Sequence, residues 1–270
     1  MQTASWPQFV SSNGTLDNAT GSAVCPAANF RVAMRRFFLP NLQQPVLTAS
    51  EAHHALHVLR LKVGDTLTVF DGRGHEAQCA IAEISRDTVH LKVLTQSTTP
   101  ALPCRIILAQ AIPKKSMDLI VQKATELGAA VIAPLISDRT VVKLDDDSKR
   151  LNRWRDIALD ACKQCGNNWL PEIRPPQPAH DFLGSLPKCD LKLIASLQPD
   201  AKPLKGILRD LANPKSLLIL IGPEGDFTPA ELGIAKSAGC LPLSLGPLVL
   251  RAETAAIYTL SILHHELQTR

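Results

Sequence analysis

From residue 105 onward, short apolar runs alternate with amphipathic stretches, and this alternation limits the fold more than any other feature of the chain. "RIILAQAI" (Arg105–Ile112) is almost continuously apolar, as strands buried on both faces are. "PKKSMDLIVQKATELG" follows as a helix. Ser116 is its expected N-cap, Leu119, Ile120, Lys123 and Leu127 its stripe, and Gly128 its end. "AVIAPLI" reads as the next strand, and a helix is expected from about Lys149 to Cys165. "LKLIAS", a short helix near Pro203–Leu211 and "SLLILI" continue the series. Such alternation specifies an α/β domain with a parallel sheet over about 101–270. In open sheets of this kind ligands sit beyond the carboxyl ends of the strands. The ends after "LIAS", "LILI" and "LPLSL" are therefore the candidate binding positions.

The preceding segment has a different grammar. Arg36-Phe37-Phe38 opens a strand, and Ser50 is placed to cap a helix running to about His57, with Glu51 favoured by the helix dipole. "TLTVF" (Thr66–Phe70), the turn signal Asp71-Gly72, "EAQCAIAEI" and "TVHLKVL" read as successive strands. Their spacing predicts a small β-barrel over 34–100. Residues 1–33 are rich in Ser, Thr, Ala and Asn and read as a disordered N-terminal extension, with "MRRFFLP" from Met34 a credible native start.

Composition narrows the function classes. A net charge of +4 permits an RNA partner without demanding one. Aromatic residues are only 4% of the chain, which argues against reading single strands on a stacking platform. No apolar run approaches the length of a membrane span. The seven cysteines lie mostly in apolar segments and read as reduced thiols of a cytosolic protein. Cys162-x-x-Cys165 lacks the second pair that a zinc site needs. The pairs His53-His54 and His264-His265 have no metal-like partners, so no metal is expected.

Two C-terminal stretches carry the chemistry. In "LLILIGPEGDFTPAEL" (Leu217–Leu232), Gly222 and Gly225 flank Pro223-Glu224, and Thr228-Pro229-Ala230-Glu231 is a capping box with proline at the first helical position. The loop has neither phosphate-binding glycine pattern, and Glu224 and Asp226 would repel a pyrophosphate. A neutral or cationic ligand is more compatible. In "LSLGPLVLRAETAAIYTLSIL" (Leu243–Leu263), a strand ends at Gly246 and a helix begins close to Glu253. Glu253 suits the positive helix end and Arg251 does not. Arg251 therefore either pairs with Glu253 or Glu231 at the surface or faces a substrate oxygen.

"IGPEGDFTPAEL" followed by "LSLGPLVLRAETAAI" resembles the signature of the RsmE family, the small-subunit (16S) ribosomal RNA uridine-N3 methyltransferases of the SPOUT superfamily. "IPKKSMDLIVQKATELGAAVIAPLISDRTVV", "ACKQCG" and "LPEIRPP" are similar to further family segments. "MRRFFLP", "HHALHVLRLKVGD" and "FDGRG" resemble its N-terminal PUA-like barrel. The resemblance covers about residues 34–270 and implies an α/β-knot fold with a deep C-terminal trefoil knot. It also implies a homodimer, rRNA of the small ribosomal subunit as partner, and S-adenosylmethionine as methyl donor; a cytoplasmic location is expected from the reduced cysteines. By the same resemblance the cofactor would be held by Ala195, Ser196, Leu197, Ile221, Gly222, Pro223, Glu224, Gly225, Leu245, Gly246, Leu248, Leu250, Thr254 and Ala255. Arg251 and Glu253 would act in catalysis. Arg35, Arg36, Arg60, Lys62, Arg73, Lys114, Lys115 and Arg139 would contact RNA phosphates. The chain departs from the family at Leu248 and Asn167, where relatives often carry arginine, and at Asp226, where glycine is frequent. A ribose-methylating relative and a non-catalytic RNA-binding protein are the competing readings.

Overall fold

The computed structural model describes residues 35–141, 147–209 and 214–268, so the expected N-terminal extension lies outside the described residues. The N-terminal part builds one five-stranded sheet from β1 (Arg36–Phe38), β2 (Val46–Leu47), β3 (Thr66–Phe70), β4 (His75–Ser85) and β5 (Thr88–Thr98), in the order β1-β3-β4-β5-β2. β1 runs parallel to β3, and the remaining pairings are antiparallel. Alternation along the strands buries Phe37, Leu67, Val69, Cys79, Ile81 and Val89 in a single core. Helix α1 (Ala49–His53) runs into a π-helical turn at His54–Val58. Thr48, not Ser50, is its N-cap, and Ser50 lies inside the helix.

The second part is the expected α/β domain. Its strands are β6 (Arg105–Ala111), β7 (Val131–Ile136), β8 (Glu172–Ile173), β9 (Gln177–Pro178), β10 (Leu191–Ala195), β11 (Lys202–Pro203), β12 (Ser216–Ile221) and β13 (Leu241–Ser244). All pair in parallel, in the order β11-β13-β10-β12-β6-β7-β8, with β9 also on β7. The helices are α2 (Met117–Glu126), α3 (Asp147–Cys165), α4 (Ala179–Gly184), α5 (Leu204–Arg209), α6 (Pro229–Ser237) and α7 (Ala252–Gln268). β6 shows why its sequence is apolar at successive positions. Ile106 and Leu108 pack with α2 and α7 on one face, while Ile107 and Ala109 pack with Phe182, Phe227 and Leu232 on the other. The last described residue anchors the first strand. Cys104 donates its N–H to Gln268 Oε1 at 3.2 Å, and Gln268 Nε2 donates to Cys104 O at 2.7 Å, all buried.

Some local expectations shift. The buried stripe of α2 is Met117, Ile120, Val121 and Ala124, whereas Leu119 is 41% exposed. The helical period sets this phase: 117, 120, 121 and 124 share a face, and 119 lies about 100° from it. Lys123 instead pairs with Glu126 at 2.8 Å. Ser116 occupies the N-cap position, but its side chain makes no cap bond. The strand expected to reach Gly246 ends at Ser244.

A polar pin joins the two sheets. Arg36 is only 8% exposed and lies 4.9 Å from the Phe70 ring centroid. It donates to Glu76 Oε2 at 3.0 Å and to Asn168 Oδ1 at 2.5 Å. Asn168, beyond α3, also donates to Thr99 Oγ1 at 2.9 Å. Around it Gly74 N–H binds Asn168 O, Leu170 N–H binds Gly72 O, and Trp169 Nε1 donates to Thr99 O. Lys163 of α3 pairs with Glu51 of α1 across the same seam. Arg36, expected among the phosphate contacts, is instead buried in the seam with Glu76 and Asn168 as its partners.

Burial alone would raise the Glu76 carboxyl, but the Arg36 guanidinium and further hydrogen bonds outweigh it and hold the group below the ordinary carboxylate range. Its contribution to stability is therefore present above the unfolded carboxylate value and is lost as pH falls through the lower folded value. Arg36→Ala is expected to lose about 2–4 kcal/mol in urea unfolding at neutral pH. Glu76→Gln should flatten the acid limb of the stability curve. Gly74 has φ +96°, and a Cβ there would stand 2.6 Å from the Trp169 ring and 2.8 Å from Thr99 O. Gly74→Ala should cost about 2–3 kcal/mol, read in the same unfolding assay.

Candidate functional site

β13, β10 and β12 lie side by side in parallel, so their carboxyl ends face one edge together. A cavity of about 350 Å³ opens there, inside the range of roughly 300–1,000 Å³ usual for small-molecule clefts. Its walls are Ala195 to Gln198 after β10, Ile221 to Glu224 with Asp226 after β12, and Ser244 to Leu250 after β13. Ala252 and Ala255 of α7 close the remaining side. The three strand ends singled out from sequence therefore meet at one site.

Two of the residues expected here lie elsewhere. The carbonyl of Gly225 accepts a hydrogen bond from Arg139 Nη1, and a Cβ on Gly225 would meet Arg139 Cδ at 3.2 Å, so this residue faces the β7 loop. Thr254 is exposed, because Ala252 and Ala255, three apart on α7, take the inward face. Ser244 and Ala252 line the cavity and were not singled out from sequence. The helix phase counted back from Ala255 was the signal for Ala252.

The loop after β12 is built tightly. A Cβ on Gly222 would stand 3.0 Å from Asp226 Oδ1 and 3.2 Å from Phe227 N. Asp226 has φ +61°, the left-handed region that glycine adopts freely and aspartate tolerates. Its N–H closes a turn onto Pro223 O at 3.0 Å, and its Oδ1 accepts the Phe227 N–H at 2.8 Å. Glu224 Oε1 accepts the backbone N–H of Lys114 at 2.8 Å, which turns that acid toward the β6–α2 connection. The capping box of α6 forms as read: Glu231 N–H donates to Thr228 Oγ1, and Thr228 N–H donates to Glu231 Oε2 at 2.7 Å. Glu231 is 2% exposed and also accepts the Asp138 N–H at 3.1 Å.

Glu231 is therefore committed to its cap and does not pair with Arg251. Glu253 is not the partner either, since its Oε2 accepts from Ser116 Oγ at 2.9 Å. Among the described residues the exposed Arg251 side chain makes no hydrogen bond or ion pair. It stands between the pocket-lining Leu250 and Ala252. The charged residues lining the cavity are the acids Glu224 and Asp226.

The basic residues spread over both parts. Arg60, Lys62, Arg73, Lys114 and Lys115 are exposed. Arg35 lies 3.8 Å from Asp65 and donates to Thr66 O at 3.4 Å. Arg139 braces Gly225, and Arg36 is buried in the seam. Asn167 Oδ1 accepts the Trp169 N–H at 2.9 Å, so it shapes the seam loop, while Leu248 is 74% exposed at the cavity mouth. Burial pushes the Cys162 thiol up to about 12, as expected of an inert core cysteine. Cys165, in contrast, is exposed. Among the described residues no His, Cys, Asp or Glu cluster could hold a metal ion.

Residues 100–264 match the model of the RNA methyltransferase domain family, and residues 47–94 match that of the RNA methyltransferase PUA domain. The chain is 32% identical over 248 residues to the ribosomal RNA small subunit methyltransferase E of Bacillus subtilis, covering 86% of this chain and 97% of that one. A methyltransferase from Legionella pneumophila, solved with the bound cofactor SAM, is 38% identical and superposes with a TM-score of 0.77 over 86% of this chain and 97% of its own. The ribosomal RNA small subunit methyltransferase E of Neisseria gonorrhoeae, solved bound to S-adenosyl methionine, is 30% identical with a TM-score of 0.76 over 86% and 98%. With the family model covering the whole strand-end pocket and a second model covering most of the N-terminal sheet, this chain belongs to the RNA methyltransferase family.

Proposed function

We propose that the protein transfers a methyl group from S-adenosylmethionine to N3 of a specific uridine in small-subunit ribosomal RNA. The observation that carries this reading is the strand-end pocket, whose charged walls are acidic and whose remaining walls are apolar residues, glycine and the uncharged polar residues Ser196, Gln198 and Ser244. Such a lining suits a nucleoside without phosphates that bears a positive sulfonium, and it disfavours a nucleoside di- or triphosphate. Ala195, Ser196, Leu197, Ile221, Gly222, Pro223, Glu224, Leu245, Gly246, Leu248, Leu250 and Ala255 would hold the cofactor directly. Gly225 and Thr254 would support it from outside the cavity. The cofactor supplies an electrophilic methyl group on sulfur.

The protein's own residues must do the rest. Uracil N3 carries a weakly acidic proton, and its loss leaves negative charge on the flanking carbonyl oxygens. Arg251, exposed at the pocket edge and without an acid partner among the described residues, is the group suited to stabilise that charge. Glu253, fixed by Ser116, sets the helix start that carries Arg251. N3 lies on the pairing edge of the base, so the target must be unpaired or flipped out. The domains would divide this work: residues 34–100, a PUA-like barrel, would grip RNA, and residues 101–270 would carry the transfer. β13 enters the sheet beside β10, and α7 returns to pack on α2 and β12. That path supports a C-terminal trefoil knot. A homodimer working in the cytoplasm on the small ribosomal subunit completes the reading. No described helix is long and apolar enough to cross a membrane.

Labelled S-adenosylmethionine and unmodified small ribosomal subunits, followed by nucleoside analysis, test the reaction. Wild type is expected to produce 3-methyluridine, and Arg251→Ala to lose about 10²–10³-fold in kcat. A product methylated on ribose would instead identify a different SPOUT-type reaction. Saturable cofactor binding without transfer would favour a binding protein. Replacing Arg60, Lys62 or Arg73 by Ala should weaken RNA binding and reduce the slope of log affinity against log salt by about 0.7–0.9 per residue. Filter binding across a salt series measures that slope.

A further inference from the structure

We infer that Ser116 is a positioning residue for methyl transfer: its hydroxyl holds Glu253 and so sets the start of α7, with Arg251, against the pocket. This rests on the function proposed above. Ser116 stands at the N-cap of α2, where a serine hydroxyl ordinarily accepts a backbone N–H from the first turn. Here it makes no cap bond and has φ −102° and ψ 13°. The hydroxyl donates instead to Glu253 Oε2 at 2.9 Å, across a separation of 137 residues. A favourable local bond is thus given up for a tie between two helices.

The turn that carries Ser116 is well placed to act as a bracket. It leaves β6 through Ile112 and Pro113, both buried, and the Ile112 N–H is bound to Leu135 O at 2.9 Å. Proline fixes the backbone at 113. From this fixed base the Lys114 N–H reaches Glu224, and the Ser116 hydroxyl reaches Glu253. The loop after β12 and the segment after β13 are therefore referred to one support. Glu253 lies in the first turn of α7, whose first backbone bond runs from Ala255 N–H to Arg251 O at 2.8 Å. Holding Glu253 holds the turn that presents both Arg251 and the pocket-lining Ala252 and Ala255.

The experiment compares full-length wild type with Ser116→Ala, Ser116→Thr, Glu253→Ala and the Ser116→Ala/Glu253→Ala double variant. Amide hydrogen exchange in the first turns of α7, Ala255 to Thr259, is read beside methyl-transfer kinetics and S-adenosylmethionine affinity. Ser116→Ala should raise exchange in that segment about tenfold, with β6 and β12 unchanged, and lower kcat about tenfold with cofactor affinity within about twofold. Ser116→Thr, which keeps the hydroxyl, should restore both. In the Glu253→Ala background, removing the Ser116 hydroxyl should change nothing further. Unchanged exchange, unchanged kcat, or fully additive losses in the double variant would each overturn the proposal. A wild type that transfers no methyl group would overturn the proposed function and the catalytic role of this bond with it. The exchange data would still show whether Ser116 holds α7.

Discussion

Burying a parallel sheet on both faces is the constraint on which the rest of this structure depends. The faces are sealed by helices, so the sheet meets solvent and ligands at its ends. Three neighbouring strands, β10, β12 and β13, deliver their last residues to the same edge. Their loops close a cavity without any residue having to reach far from its own strand. The chemistry of the lining then follows from what the loops contain: apolar side chains, glycine, a few uncharged polar residues and two acids.

What holds the loops is polar and long-range. Glu224 is tied to Lys114, Gly225 to Arg139, Glu231 to Asp138 and Glu253 to Ser116. Each bond joins a C-terminal segment to the loops after β6 or β7, and each joins residues far apart in the chain. The acids that make the loop unfriendly to phosphate are thus partly in structural use. Among the described residues Arg251 makes no ion pair, and on that rests the role proposed for it above.

Much of this was legible in the sequence. Apolar run length marked the buried strands, and "SLLILI" gave its strand to the residue. The capping box at Thr228 fixed the start of α6, because cap chemistry is local. The parallel-sheet rule marked the three strand ends as binding positions, and the family resemblance joined them into one pocket. Roles set by long-range partners were not legible. Arg36 reads as one of many surface cations until Glu76 and Asn168 close around it. Ser116 reads as a helix cap until Glu253, from the other end of the domain, competes for its hydroxyl. Thr254 was expected from the family resemblance, and the helical period from Ala255 places Ala252, not Thr254, toward the cavity.

The paired amide of Gln268 has a consequence for how the chain is made. Both backbone groups of Cys104, at the head of β6, are satisfied by a side chain synthesised 164 residues later. Until then a buried N–H and C=O at the root of a central strand lack their native partners. β6 is also flanked by β12, whose residues emerge only late in translation. During vectorial synthesis the N-terminal sheet, whose strands are near one another in the chain, can complete its pairing before α7 emerges. A substitution of Gln268 by an apolar residue would therefore be felt 164 residues away, as an unpaired N–H and C=O beside the first residue of β6.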